Sequence, residues 1–94
     1  MLDAYAQWKG WDEANFGRFT HNDRRYFEWH VRRALRGREP QRVLEIGFGN
    51  GSFLGFGRAR GWDIIGVEIS SELRARAERA GYRTVADIDL LAPD

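Results

Sequence analysis

The sequence predicts an α/β fold built on a small parallel sheet, and three observations indicate it. Two short apolar runs, residues 43–46 and 64–67, are each followed by a stretch of helical character. Three glycines stand at alternate positions between the first run and the helix after it. An acidic residue, Glu68, ends the second run. Strand, glycine loop, helix, strand and acid, in this order, are typical of a βαβ unit that holds a nucleotide-like ligand.

The region before the first strand, residues 1–38, is expected to form an N-terminal helical cap. Its first 19 residues are rich in aromatic side chains, and a segment this apolar is unsuited to a free tail. We expect it to pack on the sheet, or else to close over a ligand. A helix follows, capped by Thr20 or Asn22 and closed by Gly37. Its apolar face carries four residues at helical spacing, Phe27, Val31, Ala34 and Leu35.

Residues 39–94 are expected to form a βαβαβ unit. A helix over residues 52–60 has Ser52 as its predicted N-cap. A second helix begins after Ser70 or Ser71 and closes at Gly81, and a third strand covers residues 82–86. The predicted fold class is therefore α/β, a partial Rossmann-like parallel sheet of three strands with flanking helices. With the aromatic-rich helical segment in front, residues 1–94 form a single partial domain.

The glycine loop contains Gly47, Gly49 and Gly51. Glycine allows a sharp turn and lets the backbone approach a ligand with no Cβ in the way. The helix that follows presents unpaired N–H groups and the positive end of its dipole, which suit a carboxylate or a phosphate. Glu68 follows Gly47 by about 20 residues, the spacing of an acid that holds ribose hydroxyls. A ligand site is favoured over a tight turn, which needs fewer glycines.

The residues around the loop also indicate which nucleotide it takes. The dinucleotide fingerprint G-x-G-x-x-G needs a third glycine where Ser52 stands. The pattern present is E-x-G-x-G-x-G, from Glu45 to Gly51. A carboxylate beside the loop would repel a pyrophosphate, but it would attract a ligand that carries an amino group or a sulfonium. S-adenosyl-L-methionine carries both groups.

At these residues the chain resembles the class I S-adenosylmethionine-dependent methyltransferases. Residues 43–51 look like the first motif of that family. Glu68 matches its acid after the second strand, and Asp87 matches its acid after the third. The resemblance covers about residues 39–94. The three motifs together are more specific to this family than the first motif alone, because they occur in the family's order and at fitting spacing.

The resemblance implies eight cofactor-binding residues at the ends of three strands: Glu45, Gly47, Gly49, Gly51, Glu68, Ile69, Asp87 and Ile88. The glycines would line the methionine part of the cofactor, and Glu45 would bind its amino group through water. Glu68 would accept hydrogen bonds from both ribose hydroxyls, and Ile69 would lie against the adenine. Asp87, with the backbone of the next residue, would bind the adenine amino group. Asp89 competes with Asp87 for that role.

Composition limits the class of protein. The net charge is +1 and there is no cysteine, so the chain has neither a strong field for nucleic acid nor thiolate metal sites. No apolar run approaches the length of a membrane span, and the first residues lack the pattern of a secretory signal. We expect a cytoplasmic protein with no metal site and no membrane partner.

The function implied by the resemblance is transfer of a methyl group to an acceptor, with a small molecule favoured over nucleic acid. The family's complete sheet has seven strands, so 94 residues are expected to hold only the cofactor-binding half. The isolated chain is expected to be inactive. No catalytic residue is assigned, because the acceptor base would come from loops after later strands.

Two alternatives stay open: a non-catalytic nucleotide-binding or interaction fragment, and a nicotinamide-binding half domain. Two residues argue against a nicotinamide-binding domain: Ser52, which stands in place of the third glycine of the fingerprint, and the acidic Glu45. A sheet of three strands leaves its first strand as an open edge, and open edges pair with other chains. We therefore expect self-association, or pairing of this edge with a missing C-terminal half. A monomer with a sharp, concentration-independent melt would contradict that expectation.

Overall fold

The fold is a three-stranded parallel sheet with helices before and between its strands. The computed structural model describes residues 15–40 and 42–90. Its elements, in chain order, are α1 (His21–Leu35), β1 (Arg42–Ile46), α2 (Ser52–Ala59), β2 (Asp63–Val67), α3 (Ser71–Arg79), β3 (Arg83–Val85) and a 3₁₀ helix (Ile88–Leu90). The strand order is β1-β2-β3. The predicted α/β, Rossmann-like fold class is confirmed.

The strand register brings the carboxyl ends of all three strands to one edge of the sheet. Leu44 of β1 lies opposite Ile65 of β2, and Val67 of β2 lies opposite Val85 of β3. The residue after each of the first two strands continues the ladder, with Gly47 N donating to the Val67 carbonyl at 2.8 Å. In the same way, Glu68 N donates to the Val85 carbonyl at 3.0 Å. The segments that follow the strands are therefore neighbours in space.

Helices α2 and α3 cover one face of the sheet. Successive residues of a strand point to opposite faces, and the face that carries Ile64 is the one that packs on these helices. The core there is made of buried apolar side chains from the helices, the strands and the loops: Phe16, Phe48, Leu54, Phe56, Trp62, Ile64, Leu73, Ala77 and Tyr82. Burial of this apolar surface is the main driving force that holds helices to sheet.

Strand β1 forms one edge of the sheet within the described part of the chain. Its side chains alternate: Val43 packs against the core, whereas Leu44 and Ile46 on the opposite face are 36% and 73% exposed. An edge strand with exposed apolar residues fits the expectation that further polypeptide pairs with it. Pairing of this edge with further polypeptide stays a prediction.

Helix α1 begins at a capping box. Thr20 Oγ1 accepts from Asp23 N at 3.0 Å, and Asp23 Oδ2 accepts from Thr20 N at 2.9 Å, so Thr20 rather than Asn22 is the cap. Phe27 and Val31 pack against the core.

The other half of the predicted apolar face of α1 is different, because Ala34 and Leu35 are exposed. These two residues instead line an open groove between α1 and β1.

The segment before α1, residues 15–20, contains a turn at Gly17 and lies across the start of α2, and we call it the N-terminal strap. Gly17 N donates to the Asn50 carbonyl at 2.9 Å, and Asn50 Nδ2 donates to the Asn15 carbonyl at 3.3 Å. Phe16 is buried between Phe48 and Tyr82. Core packing is therefore confirmed for the strap, while the aromatic residues Tyr5, Trp8 and Trp11 lie outside the described residues.

The two glycines within α2 mark close contacts. A Cβ at Gly57 would meet the side chains of Ile64 and Trp62 at 2.7 and 2.8 Å, so close packing against the following strand is as predicted. A Cβ at Gly55 would lie 1.7 Å from the Gly17 carbonyl oxygen. Gly55 therefore accommodates the strap, a contact with the segment before α1 that the sequence does not reveal.

We predict that Gly55→Ala destabilises the protein by about 1–3 kcal/mol, the usual cost of overpacking. The direction is informative, since alanine is favoured over glycine by about 1 kcal/mol inside a helix. Urea denaturation followed by circular dichroism measures the change. As a matched control, Ala59→Gly at the exposed end of α2 reports helix propensity alone. A Gly55→Ala variant as stable as the parent would disprove the strap contact.

Candidate functional site

The glycine loop joins β1 to α2 through three residues in the left-handed region. Gly47, Gly49 and Gly51 have φ angles of 71°, 57° and 75°. Residues with a side chain rarely adopt this conformation, so each of the three alternating positions requires glycine. Gly51 N donates to the Phe48 carbonyl at 2.9 Å and closes the turn.

Phe48, between the first two glycines, anchors the loop to the core. Its side chain is buried and meets the Phe16 ring edge-on, with centroids 5.9 Å apart. On the sheet, a Cβ at Gly66 would lie 2.5 Å from the Phe48 ring. The absence of a side chain at Gly66 therefore makes room for this anchor. The role of Phe48 was not predicted from the sequence, although an aromatic residue inside a glycine loop indicates such an anchor.

The start of α2 corrects the prediction that Ser52 is its N-cap. Gly51 is the N-cap, in the left-handed conformation and with no side-chain cap bond. Ser52 is the first helical residue, and its Oγ donates to the Arg18 carbonyl at 2.9 Å. Because the glycine takes the capping position, the serine is shifted into the helix and binds the strap instead. The first N–H groups of α2 therefore have no side-chain cap, unlike those of α1.

Two buried acceptor atoms in the first motif have no hydrogen-bond partner among the described residues: Glu45 Oε1 and Asn50 Oδ1. Glu45 lies near the end of β1, on the strand face opposite to that of Leu44 and Ile46. Burial raises the pKa of its carboxyl from 4.5 to about 7, because burial disfavours the charged form. A carboxylate at this position could instead form a surface ion pair, but Glu45 forms none among the described residues. Buried acceptors without partners are costly, and they mark a place for an external donor.

The second strand end is a turn at residues 68–70. Glu68 Oε2 accepts a hydrogen bond from Ser70 N at 2.9 Å, which fixes the direction of the carboxylate. Ser70 rather than Ser71 caps α3, since its Oγ accepts from Leu73 N at 3.3 Å. Between them, Ile69 projects an apolar side chain that is 88% exposed. The turn thus presents a carboxylate and an uncovered apolar side chain together.

The third strand end carries the acids Asp87 and Asp89. Asp87 Oδ1 accepts from Asp89 N at 3.0 Å, and the Asp87 carbonyl accepts from Leu90 N at 3.0 Å. These bonds start the 3₁₀ helix and hold Asp87 directly after β3. Ile88, the first residue of that helix, is 48% exposed. A carboxylate and an exposed apolar side chain are again adjacent.

The three strand ends share one cavity of about 320 Å³. Five of the eight predicted binding residues line it: Gly47, Glu68, Ile69, Asp87 and Ile88. The remaining lining residues, Ile46, Val67 and Ala86, come from the same strand ends. In parallel α/β sheets, ligands bind in the crevice beyond the carboxyl ends of the strands. The structure thus brings these five residues together in the expected place, while their role in binding stays a prediction.

The other three predicted residues, Glu45, Gly49 and Gly51, do not line this cavity. They lie nearby in the chain, along the motif that leads from β1 to α2. Asp89 does not line the cavity either, so the geometry favours Asp87 over its competitor. A separate apolar groove of about 430 Å³ lies between α1 and β1, with Phe27, Val43 and other apolar residues on its walls.

Residues 15–40 and 42–90 contain no group of three or more His, Asp or Glu side chains placed to hold a metal ion. In the same ranges, no helix has both the length and the apolar character that crossing a membrane requires.

Comparison with known proteins agrees with this geometry. A family model described as a methyltransferase domain matches residues 16–91. The chain belongs to this methyltransferase family. The resemblance to the class I enzymes is thereby confirmed, and the match extends from the strap to the end of the 3₁₀ helix. Searches of curated proteins and of solved structures give no match.

The family match favours one of the functions considered. It supports methyl transfer, and it gives no support to the nicotinamide-binding interpretation or to the non-catalytic one. The matched region also includes the strap, which lies in the predicted N-terminal cap. The strap contacts the glycine loop directly, which gives a physical reason for the two to match as one unit.

We predict that Glu45 makes the stability of this methyltransferase domain depend on pH. Its pKa is 4.5 when unfolded and about 7 when folded, so the folded state binds more protons between these values. The contribution of Glu45 to stability is then fully present below about pH 4.5 and is lost as the pH rises through about 7. Glu45→Gln should remove this part of the slope in thermal melts between pH 4.5 and 8. Glu78→Gln, at an exposed carboxylate of α3, should retain it. Equal slopes for the parent and Glu45→Gln would contradict the assignment.

Proposed function

We propose that this methyltransferase domain binds S-adenosyl-L-methionine across the carboxyl ends of its three strands. The observation that carries the proposal is the strand-end cavity, where Glu68 and Asp87 lie with two exposed isoleucines beside the glycine loop. The cofactor supplies a methyl group on a positively charged sulfur. The protein's contribution is to bind and orient it for an acceptor, and positioning of this kind lowers a barrier by several kcal/mol.

The glycine loop and the start of α2 suit the amino-acid part of the cofactor. The uncapped N–H groups of α2 can donate to a carboxylate, which the helix dipole also favours. An ammonium group carries three donors, and the first motif holds two buried acceptors without partners, Glu45 Oε1 and Asn50 Oδ1. A positive ligand nearby would also favour the charged form of Glu45 and lower its pKa. Binding is therefore expected to release a proton near neutral pH.

The 68–70 turn suits the ribose. Glu68 Oε2 is already held by Ser70 N, and its Oε1 has no hydrogen bond among the described residues. A carboxylate has acceptor capacity on both oxygens, which matches the two donors of a vicinal diol. The bond to Ser70 holds the carboxylate in place before the ligand arrives, so less entropy is lost on binding.

The adenine would lie between the second and third strand ends. Ile69 and Ile88 offer exposed apolar surface on the two segments that flank the cavity. Covering that surface with a flat base is favourable in proportion to the area removed from water. Asp87 can accept from the exocyclic amino group, and Asp89 is the less suitable acid because it does not line the cavity.

For the acceptor, we propose a small molecule rather than nucleic acid. The net charge of +1 provides little of the electrostatic attraction on which nucleic-acid binding depends. The arginines of α1 are interspersed with the acids Asp23 and Glu28. Glu28 forms an ion pair with Arg60. No catalytic base is assigned within the described residues.

A cytoplasmic location is proposed on sequence grounds, and accumulation of a tagged chain in a membrane or secreted fraction would contradict it.

Calorimetric titration of the full chain with S-adenosylhomocysteine, the product form of the cofactor, tests the proposal. We predict saturable binding, weakened at least tenfold in Glu68→Ala, because a hydrogen bond to a charged group contributes about 1.5–3 kcal/mol. NAD is the control ligand and should not bind.

Glu68→Gln is the matched variant for this titration. Its amide oxygen can still accept from Ser70 N, so the turn is retained while one acceptor for the diol is replaced by a donor. Its affinity should fall between those of the parent and Glu68→Ala. Binding of NAD alone would contradict the proposed function, as would a folded chain that binds neither ligand.

A further inference from the structure

We propose that Arg74 is a positioning residue that holds the 68–70 turn in the shape needed to grip the adenosine half of the cofactor. This inference rests on the proposed function and extends it to a residue outside the strand-end cavity. Arg74 lies in the first turns of α3, where it is half-buried. Neither the first motif nor the acids after the strands indicate a role for it.

The contacts of Arg74 are with the backbone of the turn. Its Nη1 donates to the Glu68 carbonyl at 2.7 Å and to the Ile69 carbonyl at 2.9 Å. Both distances are in the range of hydrogen bonds from a charged donor, which are about twice as strong as neutral ones. One guanidinium nitrogen therefore joins the two consecutive peptide groups that set the direction of Glu68 and Ile69.

The other contacts that support the turn are hydrogen bonds rather than side-chain packing, and one of them joins Glu68 N to the Val85 carbonyl. Ile69 is 88% exposed, so its side chain has no packing that would fix its position. The Glu68 carboxylate is held by Ser70 N, and Ser70 in turn caps α3 through Leu73 N. Together with these hydrogen bonds, the contacts of Arg74 bind the turn to α3 through both the backbone and the side chains of the turn. Loss of Arg74 leaves two carbonyls of the turn without these donors.

The chemistry favours arginine over lysine at this position. The planar guanidinium offers several donors in a fixed arrangement and is less strongly hydrated than an ammonium group. A lysine can reach a carbonyl but loses more side-chain freedom for each hydrogen bond it makes. Arg74→Lys is therefore expected to retain part of the effect, and Arg74→Met to retain only the apolar stem.

The first part of the test needs no ligand. Amide hydrogen exchange, followed by NMR on the full chain, should be about tenfold faster at Ser70 in Arg74→Met than in the parent, because the turn opens more often. The amide of Gly55 in α2 should exchange at the same rate in both. Arg83→Met, which removes an exposed arginine at the start of β3, is the matched control and should leave Ser70 unchanged.

The second part measures binding. Arg74→Met should raise the Kd for S-adenosylhomocysteine about tenfold. It should raise the Kd for 5′-methylthioadenosine, which lacks the amino-acid part, by the same factor. In a Glu68→Ala background the effect should shrink to about threefold or less, because part of it acts through that carboxylate. Arg74→Lys should fall between the parent and Arg74→Met.

The outcomes separate the two proposals. Faster exchange at Ser70 together with weaker, coupled binding supports the role of Arg74. Unchanged exchange, or unchanged affinity in Arg74→Met, overturns it even if the parent binds the ligand well. If the parent binds neither S-adenosylhomocysteine nor 5′-methylthioadenosine, the proposed function is contradicted. The claim that Arg74 holds the turn for a ligand then fails as well. An equal loss of affinity in both backgrounds also overturns positioning through Glu68.

Discussion

The structure depends on the close approach of aromatic rings and of backbone to positions where no Cβ is present. A Cβ at Gly51 would lie 2.5 Å from the Phe16 ring, one at Gly55 would lie 1.7 Å from the strap backbone, and one at Gly66 would lie 2.5 Å from the Phe48 ring. These contacts fasten the glycine loop on two sides. Because interiors are close-packed and yield little, the loop is held in one conformation before any ligand binds.

The location of the candidate site follows from that constraint and from strand direction. Parallel pairing places the ends of β1, β2 and β3 at one edge, and each end adds one kind of group. The first adds glycines and buried acceptors, and the second and third add a carboxylate with an exposed isoleucine. The half-buried Glu45, with its raised pKa, is the kind of strained electrostatic feature that often marks function.

Much of this could be predicted from the sequence, because the strands, caps and strand-end acids are local signals. Thr20 and Ser70 cap helices as residues of their type do, and Glu68 follows the glycines at a typical spacing. Ser52 was wrongly assigned because a glycine in the left-handed conformation also starts a helix. The contacts of the strap with the glycine loop and α2, and those of Arg74, could not be predicted, since they depend on the assembled fold. The exposure of Ala34 and Leu35 likewise depends on the groove that the assembled fold leaves between α1 and β1.

The most direct test of the proposed cofactor site is NMR titration of the ¹⁵N-labelled chain with S-adenosylhomocysteine. We predict that the largest shifts occur together at Gly47, Gly49 and Gly51, at the 68–70 turn and at Ile88, with the amides of α1 unaffected. Shifts confined to the apolar groove between α1 and β1, or no shifts at saturating ligand, would contradict the claim that the three strand ends form one cofactor site.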